Sequence, residues 1–278
     1  MLITDAQMHL WEPDRPERPW PQPPRSERSP EVGFSGEQAV AAMDEVGVDR
    51  TVIVPPFWAG ERNDYAIEVA SRYPGRFAVM GRFDTTASDA EEQLATWLDQ
   101  PNMLGIRVSF LANPRPEQVD DGSLEWMWSA CERHGIPLMM LFSTMAEKAR
   151  PIVERHPGLT VILDHMALNL RRPPGEAWES LEHVIPLAAF PNVFVKVSSV
   201  PNFSVELAPY RDTVPHVRRL YDAFGPHRLF WGSDLTRLRG SYADCLSQFR
   251  EDLDFLSEED RDLILGGALS ECLNWPSP

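Results

Sequence analysis

Short runs of β-branched and apolar residues recur along the chain, each bounded by polar residues. They predict strands at about 2–7, 50–55, 76–82, 104–109, 137–142, 159–165, 193–198 and 228–234. Segments of helical period lie between them. Ser35 with Gln38 and Ser88 with Glu91 fit capping boxes, Gly47 and Gly135 fit helix stops, and Leu94, Trp97 and Leu98 form one apolar stripe. Strand and helix alternating about eight times over roughly 270 residues is the pattern of a (β/α)8 TIM barrel. An open doubly wound sheet would carry a Gly-rich phosphate loop after its first strand; Gln7-Met8-His9-Leu10-Trp11 stands there instead. No repeat or linker divides the chain, so residues 1–278 are expected to form a single α/β barrel domain.

One segment breaks the rhythm. Residues 12–35 hold Pro13, Pro16, Pro19, Pro21, Pro23, Pro24 and Pro30, which excludes helix and inner strand. Because it follows the first strand, this segment is expected to cover the C-terminal mouth of the barrel as a lid. The plainer alternative is a stiff surface connector.

Composition narrows the class. Hydrophobic residues make up 43% and charged residues 24% of the 278, which fits a globular protein and excludes disorder, collagen and coiled coil. The 42 acidic against 26 basic side chains give −16, a field that repels phosphate backbones and anionic lipid. Neither a nucleic acid nor a membrane is therefore an expected partner, and an anionic substrate would need a local arginine cluster. The longest apolar stretches, such as Leu138–Phe142, fall far short of the roughly 18–20 residues that span a bilayer. No secretory signal heads the chain, and Cys131, Cys245 and Cys272 lack metal-site spacing, so a cytoplasmic protein with reduced thiols is expected. A homo-oligomer is left open.

In such a barrel, polar side chains at the C-terminal ends of strands point into the active site. That rule sorts the histidines. His134 and His156 close helices, His183 and His216 lie within or beside helices, and His227 occupies a turn, so all five are expected to be structural or solvated. His9 and His165 end strands. Asp234 ends the apolar run Phe230-Trp231-Gly232-Ser233, where an ionised carboxylate is costly unless it is paired or solvated at a site; its ordinary alternative is an N-cap. By period-two alternation Asp164 points away from His165, and Asp5 shares the face of Gln7 and His9 one layer deeper.

Arg107 ends the fourth strand on a barrel-facing phase, Arg171 and Arg172 follow the sixth, and Arg237 and Arg239 follow Asp234. Guanidinium forks match carboxylates, so Arg107, Arg171 and Arg237 are candidates for holding an anionic small-molecule substrate; the alternative is pairing with the plentiful acids. Lys196 on the seventh strand is expected to be a buried ion-pair partner, the alternative being a substrate contact. Trp11 lies at a strand end with Phe57, Trp58 and Phe110, either lining an apolar wall against the substrate or packing the core.

These motifs carry a resemblance. Asp5-Ala6-Gln7-Met8-His9-Leu10-Trp11 resembles the D-x-H-x-H-x-W opening of the amidohydrolase-related barrel hydrolases. Leu163-Asp164-His165 is similar to the strand-six histidine of that family, and Trp231-Gly232-Ser233-Asp234 to its strand-eight G-S-D. Gly105-Ile106-Arg107, Val195-Lys196-Val197-Ser198 and the ending around Gly266-Gly267 extend the likeness over the chain. The nearest subgroup is the lactonases, including those of 2-pyrone-4,6-dicarboxylate and of sugar acids. The resemblance implies a hydrolase that opens a small, carboxylated lactone or cyclic ester, with Asp234, His165, His9 and Gln7 catalytic.

The pattern departs at Gln7, which replaces the first histidine, and at strand five, which lacks the His or Lys ligand of many metal-dependent members. A catalytic zinc needs about three good donors and an open position. His9, His165 and Asp234 would supply three, but a neutral amide is a poor fourth, so the expectation favours no cofactor over a single zinc ion. The pyrone lactonase branch, as the resemblance implies, works without a metal. In the expected mechanism Asp234 takes a proton from water, while His9, His165 and the Gln7 amide donate toward the carbonyl oxygen. Two alternatives stay open: a metal-dependent decarboxylase of the same fold, and a catalytically inactive barrel that only binds a ligand.

Overall fold

A computed structural model describes residues 2–21, 33–110, 114–143 and 145–276. All eight expected strands form: β1 (Thr4–Met8), β2 (Arg50–Ile53), β3 (Phe77–Gly81), β4 (Met103–Val108), β5 (Leu138–Met140), β6 (Val161–Leu163), β7 (Val193–Ser198) and β8 (Leu229–Gly232). They pair in parallel in sequence order. The remaining edge is drawn shut by Asp234 N–H donating to Gln7 O at 3.0 Å and Ser233 N–H donating to Asp5 Oδ1 at 2.9 Å. The result is a nearly closed (β/α)8 barrel.

Alternation divides each strand between two cores. Val52, Ala78, Met80, Met139, Ile162 and Phe230 fill the barrel interior, while Ile53, Val79, Val108, Leu163, Val195 and Trp231 pack outward under the helices. The N-terminal end is plugged by Arg50, whose guanidinium lies 4.0 Å from the Trp275 ring centroid and donates to Thr4, Ser270 and the Pro276 carbonyl. Chemistry is left to the opposite end. No helix among the described residues is long and apolar enough to cross a membrane.

The Ser35–Gln38 capping box is present ahead of α1 (Gly36–Val46), and Gly47 ends that helix at φ 78°. Gly135 takes φ 63° one residue past the cap of α4 (Glu125–Arg133). Local competition overturns two other expectations. Helix α3 (Ala90–Leu94) starts from Asp89, which accepts from Gln93 Nε2 at 2.8 Å, so the Ser88–Glu91 box does not form. A 3₁₀ turn over Trp97–Asp99 then rotates Leu98 to the surface, 40% exposed, while Leu94 and Trp97 stay buried.

The lid expectation falls largely on residues 22–32, outside the described residues. The base of the segment is closed by Trp11 and Phe34, which exchange backbone hydrogen bonds of 3.1 and 2.8 Å. Arg18 ties its first half to α2 (Asp64–Arg72) through Asp64 and Glu68.

Candidate active site

Two departures from regular strand geometry assemble the site. In β1 three steps, Asp5 to Met8, face two on β2, Thr51 to Ile53, which is a bulge. The bulge changes the phase of the strand. Asp5, expected beside Gln7 and His9, instead turns outward to Ser233 and Tyr242, while Gln7 and His9 turn into the mouth. After β6 the backbone enters the left-handed region for three residues, His165, Met166 and Ala167, at φ 49°, 58° and 50°. That run cancels the expected alternation, so Asp164 does not point away from the site: it and His165 both serve the mouth. Ser199 and Asp234 also take left-handed φ, 58° and 51°, at the ends of β7 and β8. Strain of this kind costs roughly 1–3 kcal/mol per residue and concentrates where geometry serves function.

His9, Gln7, His165 and Asp234 are brought together and buried. His9 Nδ1 lies 2.7 Å from the Val54 carbonyl. A carbonyl only accepts, so Nδ1 carries the hydrogen and Nε2 presents a lone pair, 3.3 Å from Asp234 Oδ1. Lys196 Nζ donates to Gln7 Oε1, which aims the amide hydrogens at His9 Nε2 (3.4 Å) and His165 Nε2 (3.2 Å). His165 therefore also keeps its hydrogen on Nδ1, 2.8 Å from Ser198 Oγ. The tautomers correct one expected role: neutral His9 and His165 face the centre as acceptors, and the Gln7 amide is the donor.

Asp164 anchors the cations behind this surface. It receives Lys196 Nζ at 2.7 Å and Arg107 Nε at 2.9 Å, all three buried. Burial alone would raise the Asp164 pKa, but Lys196 and Arg107 outweigh it and hold the carboxyl below its usual range. Burial lowers Lys196, with Asp164 opposing. It also lowers His9 well below its ordinary value and His165 to about 3, so both imidazoles are neutral at pH 7. Asp234 moves the other way. Burial raises it to about 6, against the pull of Arg237, Lys196 and Arg107. Its side chain caps nothing, contrary to the N-cap alternative, and Oδ1 accepts no hydrogen bond among the described residues.

The remaining candidates are dispersed. Arg107 sits within the buried network and Arg237 on the exposed rim, close enough to act on Asp234. Arg171 lines a separate cavity of about 240 Å³ with Ser109, Phe110, Leu141, Ser143 and Asn169. Trp11 is buried 5.5 Å, edge to face, from Trp58. Among the other histidines, His156 is clamped by Glu132 (2.9 Å) and Glu125 (3.0 Å), and His216 stacks on Trp178. Sequence reasoning missed Ser199, whose Oγ lies 3.4 Å from Asp234 Oδ2, and Arg82, the residue after β3. Arg82 shares the inward phase of Ala78 and Met80, which is the signal that would have found it.

The donor set bears on a metal. Two imidazole nitrogens, each contacted by the Gln7 amide, and a carboxylate face one another, and the 3.3 Å between His9 Nε2 and Asp234 Oδ1 matches the edge of a tetrahedron. Zinc bonds of about 2.0–2.1 Å give edges of about 3.3–3.4 Å. The edge from His165 Nε2 to Asp234 Oδ2 is longer, 3.8 Å, and among the described residues no group of three or more His, Cys, Asp or Glu side chains is arranged to hold a metal ion. Gln7 adds no ligand while Lys196 holds its oxygen.

The amidohydrolase family model matches residues 4–268, and the chain belongs to that family. It is a hydrolase of the lactonase-like kind. An L-fucono-1,5-lactonase of Burkholderia ambifaria is 31% identical over 95% of this chain and 92% of its own length. An amidohydrolase of Burkholderia multivorans, solved with bound zinc, superposes with a TM-score of 0.81 at 22% identity, covering 99% of this chain and 100% of that one. A probable 2-pyrone-4,6-dicarboxylic acid hydrolase of Acinetobacter baumannii, solved with citric acid, gives 0.78 at 16% identity and the same coverage.

Proposed function

We propose that the protein opens a small, carboxylated lactone by attack of a water that Asp234 deprotonates. The observation that carries this reading is the placement of Asp234: buried, with Oδ1 accepting no hydrogen bond among the described residues and lying 3.3 Å from His9 Nε2, where burial raises its carboxyl to about 6. A base of that pKa is ionised at neutral pH and still strong enough to take a proton in the transition state.

Water donates one proton to Asp234 while its oxygen attacks the lactone carbonyl. The Gln7 amide, fixed by Lys196, turns one of its two hydrogens from an imidazole to the oxyanion, and the charges of Lys196, Arg107 and Arg237 stabilise it further. A preorganised donor of this kind is worth roughly 3 kcal/mol of barrier. The tetrahedral intermediate then breaks its bond to the ring oxygen, which receives the proton from Asp234, directly or through the lone pair of His9 Nε2 at 3.3 Å. One lactone and one water yield one hydroxy acid.

The likeness to a lactonase at 31% identity supports ring opening, and the arginines of the mouth support a carboxylated ring. The test is acid release from a panel that pairs uncharged sugar lactones, such as L-fucono-1,5-lactone, with carboxylated ones. Turnover with a preference for the carboxylated rings, lost in Asp234→Asn, is expected. Carbon dioxide release from an aromatic acid without lactone turnover would instead identify a decarboxylase, and binding without turnover a ligand-binding barrel.

A further inference from the structure

Arg82 is buried, 3% exposed, immediately beyond β3. Its Nε and Nη2 each lie 2.8 Å from an oxygen of Glu61 in the loop after β2, while Nη1 is buried with no hydrogen-bond partner among the described residues. Leaving a charged donor dry and unpaired is expensive. The side chain is not needed to hold its own loop. Asn63 already does so through the Arg82 backbone, accepting from N–H at 2.7 Å and donating to the carbonyl at 2.8 Å.

Arg82 also has a like-charged neighbour. Gly81 of β3 pairs with Ile106 of β4, which sets Arg82 beside Arg107 at adjacent strand ends, both on the inward phase. Arg107 is 7% exposed, and its charge acts against that of Arg82. Each guanidinium is only partly neutralised: Arg107 through Nε to Asp164, Arg82 through one edge to Glu61. Two buried guanidiniums side by side, one with an idle nitrogen, repel each other unless an anion lies between them. In the order of strands around the barrel, β3 and β4 face β7 and β8, so this pair lies across the mouth from Ser199 and Asp234.

We propose that Arg82 and Arg107 form one carboxylate-binding subsite, with the Arg82 Nη1 edge as the half that nothing else among the described residues uses. The ligand class is a planar carboxylate, matched by parallel N–H donors. The anionic group sits at β3–β4 and directs the rest of the molecule toward β1, β6 and β8. Glu61 tempers the site by competing for the same guanidinium. This rests on the lactone reading for the identity of the molecule, but not for the binding event.

The test is calorimetric titration of the full chain with glutarate, which carries carboxylates and no scissile ring. The parent binds, Arg82→Lys binds more weakly, and Arg82→Met binds about 30-fold or more weakly, the usual loss when one partner of a buried charge pair is truncated. Glu61→Gln is the second variant. It removes the internal competitor, so glutarate binds more tightly than to the parent, whereas a purely structural Arg82–Glu61 pair predicts no gain. Failure of the parent to bind glutarate, parent-like binding by Arg82→Met, or unchanged or weaker binding by Glu61→Gln overturns the subsite. If Arg82→Met does not fold, Glu61→Gln alone decides. A protein that binds glutarate through Arg82 but opens no lactone would refute the proposed reaction and keep the subsite; one that opens lactones with Arg82 silent would do the reverse.

Discussion

Replacing Asp234 by Asn should stabilise the protein at neutral pH while removing its activity. Ionising Asp234 is harder in the fold than in water, since its pKa rises from 3.8 to about 6 on burial. At pH 7 that difference of about two pH units costs the folded state about 3 kcal/mol. The sign follows from proton binding. Between about pH 4 and 6 the folded protein holds the proton more tightly than the unfolded chain, so parent stability falls as pH rises through that window and is level above it. Asparagine never carries the charge, and its amide can donate to His9 Nε2, which lies 3.3 Å from Asp234 Oδ1. The gain is therefore up to about 3 kcal/mol, or about 6–12 °C in Tm for a chain of this size. Thermal unfolding of parent and variant, followed by circular dichroism at pH 7.5 and again near pH 4, checks it. The two Tm values should separate at pH 7.5 and converge near pH 4. An Asn variant no more stable than the parent at pH 7.5, or a gain that ignores pH, would refute the account of Asp234.

Other outcomes follow from the same network. In a profile of kcat/KM against pH, activity should rise along a single limb centred near 6, being about tenfold below its plateau at pH 5, because only the carboxylate accepts the proton. In Arg237→Gln that limb should move to higher pH, since the Arg237 charge favours ionised Asp234. Lys196→Met removes one of the two cations on buried Asp164 and frees the Gln7 amide to rotate. A stability loss of about 3–5 kcal/mol in urea titration is expected, with kcat falling more than KM changes.

Much of the fold was legible because alternation writes strands directly into the order of residues. Met80 and Met139 inside, Val79 and Met140 outside, needed no tertiary information. The site was legible as a set of residues but less so as a geometry. His9, His165 and Asp234 stood out because polar groups ending apolar strands are costly without a use. Their neighbours were misplaced where the backbone leaves regular geometry. No glycine announces the left-handed run at His165–Met166–Ala167, and no residue type announces the bulge between Asp5 and Met8. The tautomers of His9 and His165 depend on Val54 O and the Lys196-held amide of Gln7, contacts between residues 45 to 189 positions apart. Arg82 carried a readable phase and was passed over for lack of a motif.

Closure of the barrel and placement of the site depend on one further carboxylate. Asp5 Oδ1 accepts from the Gln7 N–H at 3.0 Å and the Ser233 N–H at 2.9 Å, while Oδ2 accepts from the hydroxyls of Ser233 and Tyr242. The first bond lies within the bulge that turns Gln7 inward; the two from Ser233 bind β1 to the end of β8, one residue before Asp234, and that from Tyr242 binds it to the helix that follows. Asp5→Leu strands two backbone N–H groups and two hydroxyls in a dry interface, a loss of several kcal/mol. Asp5→Asn is different, because its oxygen can keep both backbone bonds and its amide can donate to hydroxyls that reverse their roles. The expected order of stability, read from chemical denaturation, is parent, then Asn, then Leu. The Asn variant should keep an acidic limb in its rate profile, since Asp234 stays in place, but displaced to lower pH, because the Asp5 charge helps to raise Asp234. If Asp5→Leu folds as stably as the parent and matches its kcat, the β1–β8 seam is held by packing alone and the bulge does not depend on Asp5.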